Sequence, residues 1–274
     1  MYLIKSVIAV IDLLIVILLL RLMIRRDESY HNQIYSLIYR FTDYLLIPIR
    51  NITRSNSKGV LLTVLALIVI RGLVYMTGQH VSAVEGIGLS LLELLRLVFQ
   101  AYMVMWFVTV LSDHRFGMPF TNMIHSAFLP LNNVSRRLGI PGRHFNLFSI
   151  LFLVILYALI RSLLTYAILF FNSMKGFFPF LPGLGEGLLL IIYLFPGFFT
   201  LVIIIGALLS WVNPDPSNPV VQTVYGISEP LLSPFRRLMP QLWGIDFSPI
   251  IAILCFQILG GLGASLVTGL FGKL

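Results

Sequence analysis

Few residues in this chain have side chains capable of chemistry, and several stand where a charge is costly. Asp12, Arg71, Glu93, Arg96 and Arg161 all fall inside long apolar runs. An ionised group at the centre of a bilayer costs roughly 3 kcal/mol or more. Such a residue lines an ion or proton path, pairs with an opposite charge, or snorkels to the interface. Glu93 and Arg96 are three apart, share a helix face and can pair. Asp12 and Arg161 sit near mid-run. Structural pairing is the better reading, because no run repeats the charge and the last repeat of the chain lacks it.

The other reactive types point away from catalysis. The five histidines (His31, His80, His114, His125, His144) lie in or near loops, without metal-ligand spacing. The one cysteine, Cys255, lies in an apolar run and reads as a small buried hydrophobe. It excludes an intramolecular disulfide, a CxxC pair and haem attachment through CxxCH. No Ser-His-Asp set, HExxH, P-loop or GxGxxG is present. Asp246 resembles a catalytic acid in the string Ile245-Asp246-Phe247-Ser248-Pro249, yet Asp246 and Ser248 suit a helix start better. The expectation is no enzyme, no cofactor and no metal.

The elements that position these residues follow from composition. Of 274 residues, 58% are hydrophobic and 11% charged, against about 25% charged in a soluble domain. The mean hydropathy of +0.94 places the chain among polytopic membrane proteins. Its net charge of +8 suits orientation and anionic lipid rather than nucleic acid. Six apolar runs are long enough to span: 3–20, 60–76, 89–111, 145–171, 188–211 and 247–271. The first reads as an uncleaved signal anchor ended by Arg21, Arg25 and Arg26.

Residues 32–52, 119–138 and a segment from Pro219 to about Leu238 instead alternate apolar and polar faces at helical period. Ser217 or Asn218 can cap the last of these, and Pro230 and Pro234 should break or bend it. Residues 78–88 read as a connector and 172–187, with Pro179, Pro182 and several glycines, as a loop. Pro196 should kink its span. Gly261, Ser265 and Gly269, four apart, form a stripe suited to close helix packing.

The chain repeats itself. Shifting Pro219, Pro230, Leu231, Arg236, Arg237 and Leu238 by 100 residues gives Pro119, Pro130, Leu131, Arg136, Arg137 and Leu138. Shifting by 186 places Asn218 on Asn32, Tyr225 on Tyr39, Glu229 on Asp43, Pro234 on Pro48 and Arg236 on Arg50. The expected fold is therefore all-α and polytopic, in three span–amphipathic helix–span repeats, 1–79, 80–175 and 176–274. Each repeat crosses twice, so the repeats are parallel, with a pseudo-threefold axis along the membrane normal.

Thirteen of the 19 Lys and Arg residues fall on the amphipathic segments and their flanks. Those segments should therefore be cytoplasmic and both termini outside. Arg40, Arg50, Arg136, Arg137, Arg236 and Arg237 are the candidates for phosphate depth, each contributing on the order of 1 kcal/mol on an anionic leaflet. The amphipathic helices could equally cover the cytoplasmic ends of the bundle.

Residues 206–259 resemble the YggT family, whose Gram-positive members are called YlmG. The resemblance is carried by Ser210-Trp211-Val212, Asn218-Pro219, Glu229-Pro230, Pro234, Arg236-Arg237, Pro240 and the string from Gly244 to Pro249. The family commonly has two such units, where this chain shows three. The first repeat has Asn51 after Arg50 and no IDxSP string, and the second has Asn146 and Ser149 in place of Asp246 and Pro249.

The resemblance implies a multi-pass inner-membrane protein of bacteria or plastids, without known catalytic residues. Relatives are linked to cell division and nucleoid or thylakoid organisation, to osmotic and potassium balance, and in plastids to haem attachment to a b-type cytochrome. The expected role is a non-enzymatic membrane organiser or scaffold, whose partners are anionic lipids and other membrane proteins, not nucleic acid. An ion-homeostasis transport component and a haem assembly factor are the alternatives. No oligomeric state follows from the sequence.

Overall fold

The computed structural model describes residues 2–24, 33–50, 53, 55–111, 121–172, 178–212, 215–238 and 246–272. They form α1 (Tyr2–Met23), α2 (Gln33–Arg50), α3 (Asn56–Gln79), α4 (Ala83–Leu111), α5 (Thr121–Arg137), α6 (Phe145–Phe171), α7 (Phe180–Val212), α8 (Pro219–Leu238) and α9 (Ser248–Phe271). A 3₁₀ turn, Gly142–His144, leads into α6. Among the described residues there is no strand. The protein is an all-α, multi-pass membrane protein. α1, α3, α4, α6, α7 and α9 are long and apolar enough to cross a membrane. α7, at 33 residues, is the longest, about 50 Å at 1.5 Å per residue. Between the long helices stand the two-faced α2, α5 and α8.

Helix ends differ from the sequence expectation for identifiable reasons. The connector at 78–88 shrinks to three residues. His80 closes α3 in the left-handed region, at φ 56° and ψ 35°. Ser82 Oγ accepts the Glu85 amide at 3.2 Å, the Ser-x-x-Glu start signal. Gly86 lies inside α4 because α3 passes against it: a Cβ there would stand 2.6 Å from the Gly72 carbonyl oxygen.

The expected loop at 172–187 is cut short, since α7 begins at Phe180. Pro182 falls in its first turn, where no intrahelical donor is lost. A Cβ on Gly185 would meet the Phe271 Cβ at 2.7 Å, so this glycine serves close packing rather than a turn. The four prolines Pro48, Pro130, Pro230 and Pro234 all lie within continuous helix. The break expected at Pro230 and Pro234 is absent.

Contacts divide the chain into two compact bodies. The first comprises Met1–Val98 and Ile160–Pro179, the second Phe99–Leu159 and Phe180–Leu274. α1, α2 and α3 fall in the first, α7, α8 and α9 in the second, while α4 and α6 give a portion to each.

In the first body α1 packs on α3, and α2 packs on both. Ile11, Ile15, Leu18, Leu46, Val60, Val64 and Ile68 form its buried centre. In the second body α7, α8 and α9 pack mutually around an aromatic ladder. Phe199 is fully buried and meets Phe107 and Phe195 edge-on at 5.5 and 4.7 Å. Phe256 meets Phe195 and Phe235 at 5.4 and 6.0 Å. Lipid is as apolar as these side chains, so such contacts hold helices by fit rather than by expulsion of water.

The small-residue stripe of α9 does not serve this packing. Gly261, Ser265 and Gly269 are exposed, with nothing within 4 Å of a Cβ at either glycine. One position earlier, a Cβ on Gly260 would lie 2.5 Å from Pro196 Cγ. The proline ring of α7 occupies that notch.

Candidate functional site

The sequence motif running from Trp211 to Pro249 includes one polar clamp. Asn218 caps α8, its Oδ1 accepting the Val220 amide at 2.9 Å. Asp215 fixes the approaching turn by accepting the Ser217 amide and hydroxyl, both at 2.8 Å. Those hydrogen bonds hold its carboxyl below the usual range.

Glu229 and Arg236 are seven apart, two helical turns, and so share a face. Arg236 Nη1 donates to Glu229 Oε2 at 2.6 Å and its Nε to Asp246 Oδ2 at 2.9 Å. The other oxygen of Asp246 accepts the Ser248 amide at 2.9 Å, one of the unpaired donors at the start of α9. The clamp therefore ties the end of α8 to the start of α9. Ser248 is the first residue of α9 rather than its cap.

Burial works against charge on Asp246, but hydrogen bonds from Ser248 and the neighbouring guanidinium outweigh it, and its pKa is lowered. Burial likewise opposes charge on Arg236, and its two carboxylate partners more than compensate. Glu229 is thus engaged by the guanidinium, and Asp246 by the guanidinium and the Ser248 amide. Pro230 is half-buried and Pro234 exposed. Trp211, at the end of α7, is 84% exposed, as suits an interfacial aromatic.

The first body holds two deeper polar clusters. Arg71 is fully buried and ion-paired with Asp12 across α1 and α3. Its Nε donates to Ser90 Oγ at 3.0 Å and its Nη2 to the Ser90 carbonyl. Ser90 Oγ in turn donates to the Ile68 carbonyl at 2.8 Å. Arg71 thereby joins three helices, α1, α3 and α4.

Arg21 reads in the sequence as a stop signal. It is instead 3% exposed and the hub of α1, α2 and α3. It donates to Thr42 Oγ1 at 2.6 Å, Asp43 Oδ1 at 2.8 Å, Asn56 Oδ1 at 2.9 Å and the Tyr39 carbonyl at 3.3 Å. Its guanidinium also stands 4.5 Å from the centre of the Tyr39 ring. The available signal was Asp43, the acid in register with Glu229, which needs a cation.

The remaining candidates are more exposed. Arg96 and Glu93 approach to 3.6 Å on one face of α4, side chains 46% and 35% exposed, a weak pair. Arg161 is half-buried and engaged. Arg40, Arg136, Arg137 and Arg237 are exposed.

The Arg50 side chain lies outside the described residues, as do Arg25, Arg26, His31, Arg54, His114, Arg115, Pro119, Lys175, Pro240, Gly244, Ile245 and Lys273. Among the described residues no group of His, Cys, Asp and Glu could hold a metal ion. Cys255 is half-buried and free.

The junction of α4, α5 and α6 closes differently from that of α8 and α9. Trp106 Nε1 donates to Ser149 Oγ at 3.0 Å and to the Asn146 carbonyl at 3.2 Å, joining α4 to the start of α6. Tyr102 meets Phe128 edge-on at 5.9 Å, joining α4 to α5. A cavity of about 250 Å³ opens here, lined by His125, Phe128, Leu129, Asn132, Gly142 and Phe145.

The clamp of Glu229, Arg236 and Asp246 lies in the part of the chain with recognisable relatives. Residues 185–267 match the CCB3/YggT family model. Over 66 residues the chain is 48% identical to a Pseudomonas aeruginosa protein described as uncharacterized, covering 24% of this chain and 34% of that protein. It is 40% identical over 58 residues to the uncharacterized protein YggT of Escherichia coli K12, 21% of this chain and 30% of YggT. A Vibrio alginolyticus protein is 28% identical over 153 residues, 56% of this chain and 78% of that protein. The chain thus spans about a third of the length of the Pseudomonas and Escherichia relatives. No solved structure matches.

These matches support the YggT resemblance drawn from the motif. Every motif residue from Trp211 to Pro249 lies inside the matched segment, whereas Arg21 and Arg71 lie outside it.

Proposed function

We propose that this chain is a three-repeat, YlmG-like member of the YggT family and a non-enzymatic organiser of the bacterial inner membrane. In this reading the three span–amphipathic helix–span repeats are parallel and related by a pseudo-threefold axis. Both termini face out. The amphipathic helices lie at the cytoplasmic leaflet, where their arginines engage anionic lipid and their exposed faces recruit membrane proteins.

The observation that carries the reading is the saturation of Arg236 by Glu229 and Asp246. The motif charges neutralise one another and fix the angle between an interfacial helix and a span. That is work for a scaffold. It leaves Arg236 engaged within the chain, while Arg237 beside it is exposed to lipid phosphate.

Two experiments test the proposal. Single cysteines at Asn218 and His80, in a Cys255→Ala background, are treated with an impermeant thiol reagent on intact cells. Labelling at position 80 and protection at 218 are expected, and labelling at 218 would reverse the orientation. Cross-linking in membranes should then capture partner membrane proteins through α2, α5 or α8.

Asp12 sustains a second reading, transport in ion homeostasis. Its side chain is 27% exposed although it pairs with a buried arginine, so one end of the pair is open to the surroundings of the helix. Potassium or proton flux in proteoliposomes, lost in Asp12→Asn with folding intact, would establish transport in place of the scaffold.

A further inference from the structure

The second and third repeats part company at one place. In the third, Arg236 stands between the carboxylates of Glu229 and Asp246. In the second, both arginines are kept, as Arg136 and Arg137, but the register places Leu129 and Asn146 where the two carboxylates belong. Residues 99–159 carry a single acid, Asp113, which lies outside the described residues. Among the described residues neither Arg136 nor Arg137 has an acidic partner.

The position of the missing glutamate borders the cavity, since Leu129 is one of its walls. From Leu129 to Arg136 is the same seven-residue step, about 10 Å along one helix face, that Arg236 spans to reach Glu229. A third cation adjoins the cavity wall: Arg143 follows Gly142, and its Nε donates to His144 Nε2 at 2.9 Å.

We infer that this cavity, with Arg136 and Arg137, binds the headgroup of an anionic phospholipid whose phosphate takes the place of the two absent carboxylates. The inference rests on the proposed reading that α5 lies at the membrane interface. Phe128, Leu129 and Phe145 offer an apolar wall to the glycerol and the first acyl methylenes. His125 and Asn132 supply polar groups for ester or headgroup oxygens. Charge complementarity selects the occupant: the site has cations, apolar walls and no described acid. The third repeat needs no such lipid at Arg236, because its own carboxylates fill the same role.

The test uses the full-length chain with Trp211→Phe and Trp243→Phe, which leaves Trp106 as the reporter beside this site. The protein is reconstituted in phosphatidylcholine vesicles containing brominated phosphatidylglycerol or brominated phosphatidylcholine, and quenching gives their relative association. A preference for phosphatidylglycerol of about fivefold per engaged arginine is expected. Leu129→Glu with Asn146→Asp, which rebuilds the third repeat's clamp, should bring the ratio to about one. Leu129 is 42% exposed, so the new glutamate need not be buried. Arg136→Gln with Arg137→Gln should act alike, and retained helicity checks folding for both.

A phosphatidylglycerol preference that survives Leu129→Glu/Asn146→Asp would overturn the site while leaving the interfacial helices in place. Absence of any preference would overturn the site, whereas outside labelling at Asn218 with the preference kept would reverse only the orientation. Full displacement of the lipid effect by inorganic phosphate would show a free-anion site and overturn the assignment to lipid.

Discussion

Replacing Asp12 with asparagine removes one charge from a pair whose other member has no access to water. Arg71 is fully buried, and among the described residues its partners besides Asp12 are the hydroxyl and carbonyl of Ser90. Those are neutral acceptors and cannot compensate a full positive charge. Breaking such a pair on one side costs about 3–5 kcal/mol, whereas replacing both members with apolar groups of similar size is close to neutral. Asp12→Asn should therefore destabilise the first body by that amount, and Arg71→Met by a comparable one, since it strands a carboxylate. Asp12→Asn with Arg71→Met should recover most of the loss.

The measurement is a double-mutant cycle on the detergent-solubilised protein, with unfolding free energies from denaturant titration. A coupling of about 2 kcal/mol or more is the expected sign of a direct pair. If Asp12→Asn cost under about 1 kcal/mol, or if the two losses simply added, the pair would not be holding α1 to α3.

The other predictions are shorter. Arg21→Gln should cost several kcal/mol, about as much as breaking a buried pair, and should free α2 from α1 and α3, read as faster proteolysis within residues 33–50. Asp246, whose pKa is lowered on folding, contributes stability that is full above the ordinary carboxylate value of about 3.9. That contribution fades as pH falls through the folded value, so acidification below about pH 4 should loosen α8 from α9. Asp246→Asn should flatten that part of a stability-versus-pH curve. Gly260→Leu, forced against Pro196, should destabilise by roughly 1–3 kcal/mol, while Gly261→Leu, with nothing within 4 Å, should change the melting temperature little.

How much of this was legible in the sequence depended on the range of the signal. The apolar faces of α2, α5 and α8 recur every three or four residues, and a reader of periodicity finds them directly. The Glu229–Arg236 pair was legible in principle, because both residues lie on one helix two turns apart. The Asp12–Arg71 pair was not, since 59 residues separate its members and any other buried charge was an equal candidate. Arg21 was misread because a basic residue at the end of an apolar run has the same local appearance whether it stops a span or anchors a helix bundle.

Glycine and proline misled in the same way. Gly185 and Gly187 suggest a loop by propensity, but packing decides when a neighbouring helix needs their missing Cβ atoms. The start of α4 was overlooked although Ser82 and Glu85 have capping-box spacing.

The length of α7 bears on the bilayer itself. A helix of about 50 Å cannot be accommodated in a hydrocarbon layer of roughly 30 Å by leaning alone, since that would need a tilt of more than about 50°, beyond the usual limit of about 40°. α9, packed along it, has 24 residues and spans about 36 Å. Lipids bordering the pair must stretch along one helix and not the other, or one end of α7 must project past the headgroups. In the first case thicker patches of membrane would match α7 better than thin ones.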